Sequence, residues 1–188
     1  DAKTLEVKTE TGTIQVKTVA EGLQNLWGMA FLPDGRMLVT ERAGRMRIVG
    51  ADGTVGAPLA GLPDIYAHGQ GGLLDVVLSP EFDKDRTVYL SYAEEGSDGK
   101  AGTAVGRGQL SEDRARLEHF TVIFRQLPKL SVGNHFGSRL VFDRKGRLFV
   151  TLGDRNSERA RAQTLDSHIG KVVRIERDGK VPADNPFV

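Results

Sequence analysis

The most regular pattern along this chain is a short apolar run, a polar turn and a second apolar run. It occurs three times, in residues 28–40, 74–92 and 139–151. The first turn contains Pro-Asp-Gly and the third contains Asp-x-x-Gly. Glycine supplies the positive φ that such tight turns require. The pattern therefore predicts three β-hairpins.

Further short apolar runs extend the first and third hairpins. They occupy residues 45–49 and 171–175, and each precedes an Asp-Gly turn. Residues 157–163 fit a short helix, and no longer helix is indicated. The glycine-rich segment 94–108 is predicted to be a loop inserted between strands.

The repeated unit predicts an all-β fold. Three irregular copies of a four-stranded unit indicate a β-propeller, whose blades take roughly 40–45 residues in well-known repeats. A β-sandwich is the alternative, because it also consists of short strands joined by turns. The recurrence of similar hairpin chemistry favours the propeller.

Three blades do not close a ring, because the outer blades would keep open edges. The last residues, 183–188, resemble the beginning of a loop. We therefore expect residues 1–188 to be the N-terminal portion of a single propeller domain that is truncated at its C-terminal end. The remainder of the propeller would come from a longer protein or from another chain.

The composition mainly excludes certain classes of function and of site. The 188 residues carry 26 basic and 25 acidic side chains, so the net charge of +1 does not suggest a general binder of nucleic acid or membrane surfaces. No apolar run is long enough to span a membrane. The absence of cysteine excludes disulfides, thiolate zinc sites and cysteine nucleophiles.

His135 is the first candidate for chemistry. It lies in a polar, glycine-flanked loop immediately before the apolar run 140–142. Gly137, two residues further on, allows the backbone to bend and a flat ligand to approach. An imidazole at the mouth of a strand can accept a proton from a bound substrate. The alternative is an imidazole that only caps its loop.

Six segments together resemble a known family. They read LWGMAF, HGQGGLLD, GNHFGSRL, TLGD, GKVVRI and PADNPF, and they occur in this order between residues 26 and 187. The series closely resembles the pyrroloquinoline-quinone-dependent sugar dehydrogenases. The resemblance is nearest to the bacterial soluble aldose sugar dehydrogenases of the glucose/sorbosone dehydrogenase family, and it covers only the N-terminal part of the family pattern.

The resemblance implies a six-bladed propeller, of which this chain covers about three blades. It implies a quinoprotein oxidoreductase that oxidises aldose sugars at the anomeric carbon to lactones, with hydride transfer to pyrroloquinoline quinone and proton transfer to a histidine base. His135 matches that catalytic base, and Gln70 matches a cofactor-binding glutamine. The implied partners are the sugar and an external electron acceptor, and the implied location is periplasmic or secreted.

Calcium is a second implied cofactor. Its ligands are expected in the part of the family pattern that this chain does not contain, so we assign no metal ligand here. Asn134 stands where one branch of the family has an aspartate, which weakens the case for a carboxylate that tunes the base. Arg139 and Asp154 are interpreted as a charged pair lining the channel. The isolated chain is expected to be inactive, because half of the cofactor site is missing.

Two other functions remain open at this point. One is a non-catalytic propeller that acts as a binding scaffold. The other is a calcium-dependent lactonase on a similar propeller, which would need several metal-binding carboxylates facing the axis. Fold alone does not choose among these functions, whereas Gln70 and His135 favour sugar oxidation.

Overall fold

The computed structural model describes residues 4–187. This part of the chain consists almost entirely of β-strands and turns. A single turn of α-helix, α1, spans Phe82–Asp85, and short 3₁₀ turns span Ser97–Gly99 and Arg159–Gln163. The strands are β1 Thr4–Thr9, β2 Gly12–Lys17, β3 Leu26–Phe31, β4 Met37–Glu41, β5 Arg45–Val49, β6 Leu73–Leu78, β7 Thr87–Glu95, β8 Ala101–Leu110, β9 Leu117–Arg125, β10 Gly137–Phe142, β11 Leu148–Leu152 and β12 Val172–Ile175.

The strands form three antiparallel sheets after an N-terminal hairpin. β1 pairs with β2 alone, and the sheets have the orders β3-β4-β5, β6-β7-β8-β9 and β10-β11-β12. Strand order equals chain order in each sheet, so strands that follow one another in the chain are antiparallel neighbours. The three predicted hairpins are β3–β4, β6–β7 and β10–β11, and all three are confirmed.

The three sheets lie side by side, with their first strands, β3, β6 and β10, next to one another. β6 packs against β3 on one side and against β10 on the other. The approach of β3 is close because Gly28 has no side chain: a Cβ there would lie 2.9 Å from the carbonyl oxygen of Leu74. On the other side, the backbone N–H of Leu140 donates to Asp75 Oδ2 at 2.8 Å. These are blades of a propeller rather than the two facing layers of a sandwich.

The two larger of three apolar clusters in the described residues fill the spaces between the sheets. The first contains Leu38, Met46, Val88 and Leu90 among its buried side chains. The second contains Tyr89, Val105, Leu140, Leu148 and Val150. Burial of a large apolar side chain contributes about 1.5–3 kcal/mol. The middle sheet supplies residues to both clusters and is therefore held on both faces.

The predicted loop over residues 94–108 is wrong. Most of this segment belongs to the long hairpin of β7 and β8, and only its turn is irregular. Gly106 serves packing within a strand, since a Cβ there would clash with the Phe120 ring on β9. Glycine in a strand interior can mark such a close approach as well as a loop. None of the helical turns within residues 4–187 has the length and apolar character needed to cross a membrane.

Candidate active site

The loops that lead into β6 and β10 touch each other directly. The backbone N–H of Gln70 donates to the carbonyl oxygen of Gly133 at 2.8 Å. The backbone N–H of His135 donates to Gln70 Oε1, also at 2.8 Å. Gly69 permits the contact, because its φ is +59° and a Cβ there would lie 2.5 Å from the carbonyl oxygen of Gly133. The structure thus brings the two predicted site residues together.

The imidazole of His135 is held by a carboxylate. Its Nδ1 lies 2.8 Å from Oδ1 of Asp154, and 46% of the His135 side chain is exposed. Asp154 also accepts a hydrogen bond from the backbone N–H of Asn156 at 2.8 Å. That bond, together with the bond to His135, lowers the pKa of Asp154 below its usual value. The Asp154 side chain is therefore ionised near neutral pH.

This geometry fixes the tautomer of the neutral imidazole. An ionised carboxylate only accepts hydrogen bonds, so Nδ1 of His135 must carry the proton that it shares with Asp154. Nε2 then keeps a free lone pair. The ring is consequently arranged to take up a proton through Nε2 from a molecule in front of it.

Two expectations about charged neighbours are wrong. His135 does have a carboxylate partner, which comes from a position 19 residues further along the chain rather than from position 134. Arg139 does not pair with Asp154; its Nη1 lies 2.8 Å from Asp75 Oδ1, and its guanidinium carbon lies 4.6 Å from the centre of the Trp27 ring. The sequence motif TLGD contained the signal, since it places an aspartate just beyond the end of β11.

One end of the Gln70 carboxamide already has a hydrogen-bond partner. Its Oε1 accepts the bond from the His135 backbone, and within residues 4–187 no acceptor is found for its Nε2. The free NH₂ group can donate a hydrogen bond to an oxygen of a bound molecule without adding charge.

Two arginines hold these loops, although acidic and basic neighbours in the sequence, as in Glu41-Arg42 and Asp154-Arg155, are typical of solvated faces. Arg42, just after β4, donates from Nη1 to the carbonyl oxygen of Gly69. Arg155 is fully buried and donates to carbonyl oxygens of the loop that carries His135. The position of Arg155 directly after Asp154 is the only signal that the sequence offers.

Within the part of the chain that the structure describes, no group of three or more His, Cys, Asp or Glu side chains is arranged to hold a metal ion. The location of the calcium ligands stays a prediction.

Comparison with known proteins shows the family. The sequence profile described as "Glucose / Sorbosone dehydrogenase" matches residues 23–188. Aldose sugar dehydrogenase YliI of Escherichia coli is 54% identical over 177 residues, which are 94% of this chain and 47% of that protein. The chain thus spans about half the length of this relative.

Solved structures agree with the sequence match. The soluble aldose sugar dehydrogenase from Escherichia coli, in its apo-form, superposes with a TM-score of 0.87 at 54% identity, over 90% of this chain and 49% of that one. The PQQ-bound aldose sugar dehydrogenase from Streptomyces coelicolor superposes with a TM-score of 0.81 at 27% identity, over 100% of this chain and 52% of that one. The three sheets are therefore part of a β-propeller, and the chain belongs to the glucose/sorbosone dehydrogenase family.

Proposed function

We propose that the protein containing this chain oxidises aldose sugars at the anomeric carbon to lactones, with pyrroloquinoline quinone as the cofactor. The observation that carries the proposal is that His135 contacts two other candidate residues. Its ring contacts Asp154, and its backbone N–H donates to Gln70. The similarity to a PQQ-bound aldose sugar dehydrogenase supports the choice of cofactor.

His135 acts as the base. Its Nε2 accepts the proton of the anomeric hydroxyl group as the C1–O bond becomes a carbonyl, and the ring is then an imidazolium stabilised by Asp154. Pyrroloquinoline quinone, when bound, supplies the acceptor for the hydride that leaves C1. Loss of one proton and one hydride converts the cyclic sugar into its lactone.

Gln70 helps to orient the reacting molecules. Because Oε1 is fixed by the His135 backbone, the direction of its NH₂ group is fixed as well. This group donates to a cofactor oxygen beside the base. The calcium ligands, the surface for the external electron acceptor and the rest of the cofactor site belong to the remainder of the propeller, and the protein acts in the periplasm or outside the cell.

The alternatives explain less of the site. A binding scaffold has no need of a histidine whose tautomer is fixed by a carboxylate. A calcium-dependent lactonase needs several free carboxylates, whereas Asp75 is committed to Arg139 and to two backbone N–H groups.

Steady-state kinetics test the proposal. Full-length protein loaded with pyrroloquinoline quinone and calcium should reduce an artificial electron acceptor when an aldose is added, and it should release the lactone. His135→Ala should lower kcat by roughly 10²–10⁴-fold, the usual contribution of a positioned base. His119→Ala, on the exposed part of β9, is the matched control and should retain full activity. Equal activity of both variants would remove His135 from the mechanism.

A further inference from the structure

Arg155 is a buried cation whose hydrogen-bond partners are all backbone carbonyls. Its side chain has no exposed surface. Nε donates to Asn134 at 2.9 Å, Nη1 donates to Ala101 at 2.7 Å, and Nη2 donates to Val132. Within residues 4–187 no carboxylate pairs with it. Burial lowers the pKa of Arg155 to about 10, so the side chain still carries its charge near neutral pH.

Burial of an unpaired charge destabilises the folded protein unless the charged group makes specific hydrogen bonds. A buried charge without a counter-charge loses its hydration, and an apolar side chain of similar size would fill the same space more cheaply. A guanidinium, however, offers five donors in a rigid planar fork, which can bind several carbonyls at once. The Phe136 ring adds a favourable contact, since its centre lies 3.8 Å from the guanidinium carbon.

The carbonyls that Arg155 binds define the conformation of the His135 loop. Val132 and Asn134 precede the histidine in that loop, and Ala101 begins β8 in the middle sheet. The bonds therefore tie the loop to a rigid strand. The backbone N–H of Arg155 additionally donates to the carbonyl oxygen of His135 at 3.3 Å.

The loop needs this support because its backbone is strained. His135 has a φ of 50°, and the facing residues Arg155 and Asn156 have φ values of 55° and 61°. Residues other than glycine adopt this left-handed region only when their surroundings hold them there. The segment 154–156 thus fixes His135 twice: Asp154 holds the ring, and Arg155 holds the backbone.

We infer that Arg155 is a positioning residue, which holds the 132–136 loop so that the His135 imidazole meets both Asp154 and the substrate. The inference deepens the proposed function and rests on it for its catalytic consequence. An error of about 1 Å in the placement of a reacting group can cost about 100-fold in rate. Arg155 touches no reacting atom and acts only through His135.

Kinetics of full-length Arg155→Met test this role. We expect kcat to fall by about 10–100-fold while the KM for the sugar changes less than about threefold. Arg107→Met is the matched control, because Arg107 also donates to a backbone carbonyl, that of Arg177 at 2.9 Å. This control should keep wild-type kinetics.

A double-mutant cycle separates positioning from a general structural role. In a His135→Ala background, Arg155→Met should cause no further loss of kcat, because the residue through which it acts is already missing. An equal loss in both backgrounds would overturn the inference. If Arg155→Met does not fold, Arg155→Lys serves instead, since one ammonium group cannot hold three carbonyls in the same geometry.

Hydrogen exchange gives a readout that does not depend on activity. In the variant, the backbone amides of Gln70 and His135 should exchange faster, whereas those of β4 should not change. Unchanged exchange at both amides would overturn the inference. Faster exchange in a protein that shows no aldose oxidation even as wild type would support the positioning of the loop and refute the proposed function.

Discussion

The chemistry of His135 depends on which of its polar atoms are already engaged. Nδ1 faces Asp154 and the backbone N–H faces Gln70, so Nε2 is the atom left for a substrate. The side chain is about half exposed, so the proposed sugar can reach it without movement of the ring. Asp154 is ionised because two hydrogen bonds favour its charged form. The pair is therefore arranged as a base before any ligand arrives.

Asp154→Asn should slow catalysis without weakening sugar binding. The carboxamide can present its NH₂ group to the ring, which stabilises the tautomer with the proton on Nε2 and removes the base. We expect kcat to fall about 10²–10³-fold with KM changed less than about threefold. Asp143→Asn is the matched control, because the hydrogen bonds that Asp143 accepts within residues 4–187 come from backbone N–H groups in the turn after β10. Equal kcat in the two variants would show that Asp154 does not orient the base.

The family resemblance pointed to His135 and Gln70, each in a distinctive glycine-containing motif, and the structure places the two in contact. Their roles stay predictions. Asp154 was misassigned to Arg139, since the distance between two loops cannot be obtained from spacing along the chain. The only sequence signal for Arg155 was its position directly after Asp154. Its role depends on three carbonyl groups from different segments, and carbonyl groups are present at every residue.

The elements of each blade are joined by polar contacts as well as by strand pairing. Glu41, at the end of β4, is 1% exposed and accepts bonds from Arg45 and Arg47 of β5. It also accepts the backbone N–H of Gln24 at 2.8 Å, ahead of β3. One carboxylate thus connects β4, β5 and the segment that leads into β3. The bond from Arg45, opposed by burial and reinforced by Arg47 and Gln24, lowers the pKa of Glu41 to about 2.

The stability supplied by Glu41 should depend on pH. Because its pKa is lower in the folded protein, its contribution is complete above the unfolded value of 4.5 and disappears as the pH falls towards about 2. We expect Glu41→Gln to lower the free energy of unfolding by about 1–3 kcal/mol at neutral pH. In urea denaturation, the free energies of unfolding of the two proteins should converge as the pH approaches about 2.

Glu112→Gln is the control for that measurement, because Glu112 forms only an exposed ion pair with Arg86 and such pairs contribute little. The difference in the free energy of unfolding between wild type and Glu41→Gln could instead stay constant from pH 7 to pH 2. That result would show that the charge of Glu41 is not what stabilises the sheet.

Prediction of the elements succeeded where turns and apolar alternation agreed, as in β3–β4 and β10–β11. It failed at residues 94–108, because glycines that relieve crowding between strands look like glycines in a loop. The neighbour that requires them, such as Phe120 against Gly106, lies on another strand and is invisible to a local pattern.

The whole molecule presents apolar surface at both ends of its row of sheets. Leu26, Met29 and Phe31 of β3 are exposed, as are Val141 of β10 and Val172 of β12. Apolar surface of this kind usually marks a contact. We expect the remainder of a six-bladed propeller to cover these positions, in line with relatives that are about twice as long as this chain.

The isolated chain should therefore lack activity. Residues 1–188 contain the base and Gln70 but not the rest of the proposed cofactor site. When mixed with pyrroloquinoline quinone, calcium and an aldose, they should reduce no electron acceptor above the rate without protein, whereas the full-length protein should. Turnover by residues 1–188 at the full-length rate would show that the second half is dispensable for catalysis.

Single-turnover reduction of the bound cofactor tests the role of His135 most directly, because it isolates the chemical step from the external acceptor. Quinone-loaded full-length protein would be mixed with an aldose, and the absorbance of the cofactor would be followed by stopped flow. The reduction rate constant of His135→Ala should be about 10²–10⁴-fold below that of the wild type, with the cofactor still bound. Equal rate constants in the two proteins would contradict proton transfer to His135.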